Sequence, residues 1–440
     1  MPPEQTNPIN GSIQEIVNQT ADDVYNTVRI RDIGWVGQQE INWENRLIGT
    51  AGVRIDRSTL NAAQDDYYVY PKASLALNLH EFGFWGLPQV SQFKLRSAYG
   101  QTGGLPQYGV TFEALTSQNI DGSLGSTIDT RGVDPDLTPE RAREFEFGLD
   151  ASALNQRLGL ELTYYRKTVS DLILDRENPV STGITEIAVN AGTLRNTGWE
   201  LGLTVAPFQS ERFGWNSKTL FWTNDSEITE LNIPRFTTGA FGAALGTYLI
   251  QEGFSPTTIV GTPATPDADS PFTVYGDAQP DFQMSFINDF TVFRNFELGV
   301  LFHWKRGGEN INLSRLLGDI GGTTPDWNGD ADGDGVPNGR DRVDQFGPGA
   351  AQFIETASYV KLREASLHYN VPSSFLESQL GGALSRARLG ITGNNLLLFS
   401  DYSSYDPEVS VFGTQAVAQS VEVTPYPSAR SFTFQLRLTY

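Results

Sequence analysis

The sequence predicts an all-β chain, an antiparallel transmembrane β-barrel with long extracellular loops. Three observations lead there. The first is the terminal stretch SFTFQLRLTY, from Ser431 to Tyr440. It puts Phe432, Phe434, Leu436, Leu438 and Tyr440 on one side of an extended strand and Ser431, Thr433, Gln435, Arg437 and Thr439 on the other. Side chains alternate across a strand, so this segment has one apolar and one polar face. About ten such residues suffice for a tilted crossing of a bilayer. The second observation is that the pattern recurs along most of the chain. The third is that no run of about 18 apolar residues exists to form a transmembrane helix. A closed barrel is then the spanning structure left, because lipid cannot satisfy open sheet edges. One amphipathic strand alone fits a soluble sandwich equally well. Recurrence and the spacing of the connections shift the balance.

In chain order, residues 1–33 are polar, with a short helical piece expected over 13–25. Strands are expected over 35–43 and 46–57, joined across Glu44–Asn45, then over 67–79 and 93–99. Residues 101–140 form a polar excursion rich in Gly, Thr, Ser and Asp. In 143–150, Phe145, Phe147 and Leu149 oppose Glu144, Glu146 and Asp150. In 158–169, Leu158, Leu160, Leu162 and Tyr164 oppose Glu161 and Thr163. Trp199, Leu201, Leu203 and Val205 line the next face, with 215–224 as a partner strand. A second excursion covers 225–280. A hairpin follows over 281–292 and 295–305 across Phe293–Arg294, with Phe296, Leu298, Val300, Phe302 and Trp304 on its apolar face. A third excursion fills 306–355, and strands over 356–369, 387–394 and 431–440 complete the series. Roughly fourteen candidates lie within the even-numbered range of single-chain barrels.

Long excursions thus alternate with short turns, as on the two rims of an outer-membrane barrel. Trp35, Trp43, Tyr99, Trp199, Trp222, Trp304, Tyr369 and Tyr440 gather near strand ends, where an interfacial aromatic girdle would sit. Glycine is abundant (44 residues) and cysteine absent. The former is turn-rich β composition, and the latter excludes disulfides and thiolate metal sites. The balance of 31 basic against 52 acidic residues, net −21, argues against a nucleic-acid partner. The start, MPPEQTNPINGS, has neither the charged nor the apolar region of a signal peptide. An exported chain needs one, so the expectation is that Met1 is not the native start or that a targeting segment has been removed.

Several stretches resemble the SusC/RagA-type TonB-dependent outer-membrane transporters. They are NRLIGTAGVRIDRS (45–58), FKLRSAYGQTG (93–103), DPDLTPERAREFEFGLD (134–150), LELTYYRKTVSDLIL (160–174), NTGWELGL (196–203), SYVKLREASLHYNVP (358–372), RLGITGNNLLLFSDYSSYDPEVS (388–410) and YPSARSFTFQLRLTY (426–440). The resemblance covers nearly the whole chain from about Trp35 onward. It implies a 22-stranded barrel, a plug domain in its lumen, a TonB box, and a SusD-like substrate-binding lipoprotein over the extracellular mouth. No plug, TonB box or early strands are found here, so residues 34–440 are expected to be the C-terminal part of such a barrel. The implied function is import of oligosaccharides or peptides across the outer membrane, driven by TonB–ExbB–ExbD through the plug. Lys94, Arg96, Glu144, Glu146, Lys361 and Arg363 are expected to face the lumen and tune selectivity.

One motif carries definite chemistry. DADGDGVPNGRD, residues 330–341, reads D-x-D-x-D-G. Asp330, Asp332, Asp334, the Val336 carbonyl, Asn338 and Asp341 fall at the ligand positions of a calcium loop, with Gly335 at the sharp turn. A hard cation takes six to eight oxygens, and this spacing winds them around one point. Asp341 replaces the usual Glu, and no apolar helical flanks are evident. The expectation is a calcium loop without helices that rigidifies an excursion; a solvated acidic loop is the alternative. Catalytic signals are weak. His80, His303 and His368 are scattered, and neither a nucleophile elbow nor H-E-x-x-H is present. Two other classes fit the composition: a secreted, calcium-stabilised β-rich binding or adhesion module, and a polysaccharide-active enzyme of β architecture. Dependence on detergent separates the barrel from both.

Overall fold

The computed structural model describes residues 29–440 apart from 113–114, 121–122, 129, 263–270, 345–348, 382 and 413–419. The helical piece expected over 13–25 lies outside these residues. The last two residues of the polar segment 1–33 already belong to the first strand.

Thirteen strands form one antiparallel meander: β1 (Asp32–Trp43), β2 (Leu47–Ser58), β3 (Tyr68–Asn78), β4 (Val90–Gly104), β5 (Glu140–Ala153), β6 (Leu158–Glu177), β7 (Glu186–Gln209), β8 (Phe213–Trp222), β9 (Pro280–Val292), β10 (Phe296–Gly307), β11 (Tyr359–Asn370), β12 (Arg386–Phe399) and β13 (Ser431–Thr439). Each pairs with the next. Among the described residues β1 pairs only with β2 and β13 only with β12, so the sheet path is open. Asp225–Leu231 continues past the end of β8 and pairs with the outer half of β7. No helix among the described residues is long and apolar enough to cross a membrane.

The register sorts side chains into two continuous surfaces. One row runs Leu47, Leu77, Leu95, Leu149, Leu162, Leu201, Phe221, Met284, Trp304, Val360, Phe399 from β2 to β12. The row one residue away runs Asn78, Lys94, Asp150, Glu161, Gly202, Leu220, Ser285, His303, Lys361, Leu398. Strand periodicity of two produces this split, and a one-residue slip in any pair would invert it. The apolar surface is uncovered: Phe147 is 52% exposed, Trp199 49% and Phe434 78%. Trp222 departs from the expected girdle. It lies on the polar side, its ring 5.7 Å from that of His303.

Three-residue connections, 44–46 and 293–295, close two hairpins. Glu44 and Asn45 have φ of 49° and 56°, and Phe293 and Arg294 have φ of 51° and 65°. Positive φ at both central residues matches the twist of the flanking strands. The Asn45 N–H donates to Asn42 Oδ1 at 2.8 Å and secures the first of them. The three- and four-residue connections 44–46, 154–157, 210–212 and 293–295 fall on one rim, together with 79–89 and 371–385. The other rim carries 59–67, 105–139, 178–185, 223–279, 308–358 and 400–430.

The buried core lies on that second rim. Tyr248, Ile259, Ile311, Leu313, Leu316, Phe353 and Val421 form one cluster drawn from three excursions. A four-stranded sheet (Phe236–Thr238, Thr247–Ile250, Thr258–Gly261, Thr273–Asp277) and a three-stranded sheet (Ile354–Thr356, Glu309–Asn312, Val421–Glu422) frame it. Helices α1 (Leu313–Ile320) and α2 (Asn338–Asp344) lie in the 308–358 connection, and α3 (Ser373–Leu380) lies on the short-turn rim. The three excursions are therefore one folded cap. Burial of large apolar side chains, each contributing about 1.5–3 kcal/mol, holds it together.

Candidate functional site

Three parts of the molecule carry chemistry. The first is the wall of β4 to β8. Arg96 donates from Nε to Asp150 Oδ1 at 2.9 Å and from Nη2 to Thr163 Oγ1 at 2.7 Å. Lys94 Nζ lies 3.6 Å from Asp150. These two expected lumen cations are thus held by one carboxylate. Glu144, Glu146, Glu161 and Glu200, with Tyr165, Trp222 and Arg96 itself, line a recess of about 460 Å³. Its floor is anionic and partly aromatic, suited to hydroxyl or cationic groups of a passing ligand.

The second part ties the connection 400–430 to the wall. Lys361 is buried on β11 and reaches Asp406 at 2.7 Å and Glu408 at 2.6 Å. Arg363 and the Tyr359 hydroxyl also donate to Glu408, and Ser428 Oγ donates to Asp406 at 2.6 Å. Burial alone would raise the Glu408 carboxyl, but donation from Arg363, Lys361 and Tyr359 outweighs it and pulls the group down to about 2. Lys361 and Arg363, expected to tune selectivity, anchor this loop instead. Sequence reasoning passed over Asp406 and Glu408. Their signal was the pair of acids flanking Pro407 in DPE, inside a stretch already singled out.

The third part is the acidic loop. Carboxylate oxygens of Asp330, Asp332 and Asp334 lie within 4.8 Å of one another and are exposed. Asp330 accepts from the N–H of Gly333 (2.7 Å) and of Gly335 (3.0 Å), and Asp334 Oδ1 accepts from Val336 N–H at 2.7 Å. Gly333 and Gly335 hold φ of 80° and 86°, a left-handed conformation that a Cβ disfavours. Asn338 Oδ1 accepts from Ala331 N–H at 2.9 Å. Asp341 sits in the first turn of α2 and is not among the carboxylates that converge. The loop has a helical exit after all: α2 begins at Asn338. Arg342, one residue past the motif, is nearly buried against Asp319 of α1.

His80 and His303 are each held by hydrogen bonds. His80 Nδ1 accepts from Phe93 N–H at 3.1 Å. His303 Nδ1 lies 3.0 Å from Ser285 Oγ, with its ring between Trp222 and Tyr359. His368 faces the polar side opposite Gly390.

The family described as TonB dependent receptor-like, beta-barrel, matches residues 2–396. The chain belongs to the TonB-dependent receptor family, as β-barrel. TonB-dependent receptor P26 of Formosa agariphila is 27% identical over 463 aligned positions, 92% of this chain and 46% of the relative. TonB-dependent receptor SusC of Bacteroides thetaiotaomicron is 28% identical over 227 positions, 48% of this chain and 22% of the relative. The structure of the RagAB peptide transporter superposes with a TM-score of 0.77 at 20% identity, covering 96% of this chain and 49% of that one. The chain spans about half the length of the longer-matching relatives.

As a TonB-dependent receptor barrel, the chain resides in the outer membrane, in a family of receptors and transporters rather than enzymes. The apolar row faces lipid, the polar row faces the lumen, and the rim of long connections is extracellular.

Proposed function

We propose that this barrel wall serves TonB-dependent import of oligosaccharides or peptides across the outer membrane. It works beneath a SusD-like lipoprotein, with TonB–ExbB–ExbD acting through a plug domain. The observation that carries the reading is the folded extracellular cap, anchored into the lumen through Lys361, Asp406 and Glu408, above a wall of free carboxylates. Such a rim offers a rigid seat for a partner and a polar path beneath it. The names of the relatives support the same direction, SusC among the receptors and a peptide transporter among the solved structures. The test is uptake of labelled oligosaccharides and peptides by cells lacking this gene or a neighbouring SusD-like gene. Both deletions and a protonophore abolish uptake of one ligand class. Unchanged uptake of every class overturns the proposal.

We also propose that Asp330, Asp332, Asp334, Asn338, Asp341 and the Val336 carbonyl bind calcium. The supporting features are the ligand spacing, the three converging carboxylates and the two left-handed glycines. Calcium protects residues 326–344 from proteolysis and EDTA removes the protection. Identical cleavage with either would dispose of the site.

A further inference from the structure

Arg143 on β5 and Arg166 on β6 stand on the lipid-facing side of the wall. Register places them there: Arg143 shares a face with Phe145 and Phe147, and Arg166 lies directly opposite Phe145 and two residues from Tyr164. Both side chains are exposed. Among the described residues neither has an ion-pair partner, whereas Arg195, on the same face of β7, is neutralised by Glu227. The two are diagonal neighbours across the β5–β6 pair, about 7–8 Å apart at the backbone and within joint reach of one anion. In a chain of net charge −21, two unpaired guanidiniums side by side are a local reversal of sign.

Directly below them the same face is hollowed. A groove of about 540 Å³ is lined by Leu75, Leu95, Ser97, Phe147, Leu162 and Trp199. Its depth comes from Ser97, a small side chain paired with Leu75 on one side and Phe147 on the other. Vertical order follows from strand direction. β5 descends from the extracellular rim, so Arg143 lies four residues above Phe147, roughly 13 Å. β6 ascends, so Arg166 lies two residues above Tyr164, roughly 7 Å. Tyr164 and Trp199, with ring centroids 5.0 Å apart, form the upper lip of the groove beneath the cations, at the depth of an interfacial aromatic belt.

We propose that this patch binds a phosphorylated lipid of the outer leaflet, its phosphate between Arg143 and Arg166 and one acyl chain in the groove below. Guanidinium forks match phosphate oxygens in pairs. Two of them at headgroup depth over an apolar slot match both ends of such a lipid. The inference rests on the lipid-facing orientation of the wall and not on transport.

The test uses the protein extracted from outer membranes, delipidated in mild detergent and titrated with a bis-phosphorylated multi-acyl glycolipid. Retention is read by native mass spectrometry, and heat-shifted mobility on gels confirms that each variant is folded. The double variant Arg143→Gln/Arg166→Gln binds on the order of tenfold more weakly or worse. Arg195→Gln, which alters a paired arginine on the same face, binds within about twofold of the parent. Ser97→Phe fills the groove and weakens binding with both arginines present. The same glycolipid stripped of phosphate binds the parent as weakly as the intact one binds the double variant, and millimolar inorganic phosphate does not displace it. Equal binding by the double variant, equal binding of the stripped lipid, or displacement by inorganic phosphate overturns the proposal.

Discussion

Arg342 decides whether the acidic loop has a fixed frame. Its guanidinium donates to Asp319 through Nε and Nη2, both at 2.7 Å, and to Asp326 through Nη1 and Nη2, both at 2.9 Å. Asp319 is completely buried. Hydrogen bonds donated to Asp319, first, and to Asp326 raise the already high Arg342 pKa against the opposing effect of burial. The bond from Arg342 holds the Asp326 carboxyl below its usual range. Removing one member of a buried pair leaves an uncompensated charge, at a cost of about 3–5 kcal/mol. Arg342→Met is therefore expected to increase hydrogen exchange across 313–344 by orders of magnitude, while the barrel strands exchange as before. Adding Asp319→Asn restores part of the protection, because no buried charge is then stranded; exchange equal to the parent in the single variant would refute the role. This pair was not legible in the sequence. The two residues are 23 apart, and the carboxylates of DADGDG draw attention away from the arginine that follows them.

At the level of elements, the strands were legible and the cap was not. Period-two alternation located β1, β2, β3, β9, β10 and β13 to within three residues, because one face of each meets lipid and the other water. β7 was expected over 199–205 but runs Glu186–Gln209. Its outer half stands above the membrane, where no apolar face is required and alternation fades. α1 and α2 were missed because helices this short draw little on propensity; Leu313 and Leu316 are helical through packing in the cap core. The same cap sets a pH response. The Glu408 carboxyl, at about 2 in the folded chain, lies below the unfolded value near 4.3. A depressed carboxylate contributes stability that is fully present above the unfolded pKa and is lost as pH falls toward the folded one. Protection of the amides over 401–411, taken relative to their intrinsic exchange rates at each pH, is expected to stay high at neutral pH and to fall as pH drops from about 4.5 toward 2. Glu408→Gln should exchange faster at neutral pH and lose that acid dependence. An acid profile identical in parent and variant would assign the response to another group.

For the whole molecule, the decisive property is which surface meets lipid. The composition, 39% hydrophobic, does not reveal it, and neither does any one strand. The pairing register does, by joining Leu47 through Phe399 into one uninterrupted apolar row across eleven strands. A sandwich would bury that row against a second sheet; here Phe147, Trp199 and Phe434 stay uncovered. Tryptophan reports the difference directly. Trp199 and Trp304 lie on the apolar side, while Trp222 packs on His303 in the lumen and Trp327 packs in the cap beside Gly339. Variants of the membrane-inserted protein that each retain one tryptophan, the others changed to Phe, separate the two sets. In vesicles of brominated lipid, fluorescence from Trp199 and Trp304 should be strongly quenched, since bromine on the acyl chains acts only at contact. Fluorescence from Trp222 and Trp327 should be nearly unaffected, yet remain open to a water-soluble quencher. Quenching of Trp222 by lipid as strong as that of Trp304 would mean the two faces are assigned the wrong way round, and with them the lumen, the cap anchor and the lipid site.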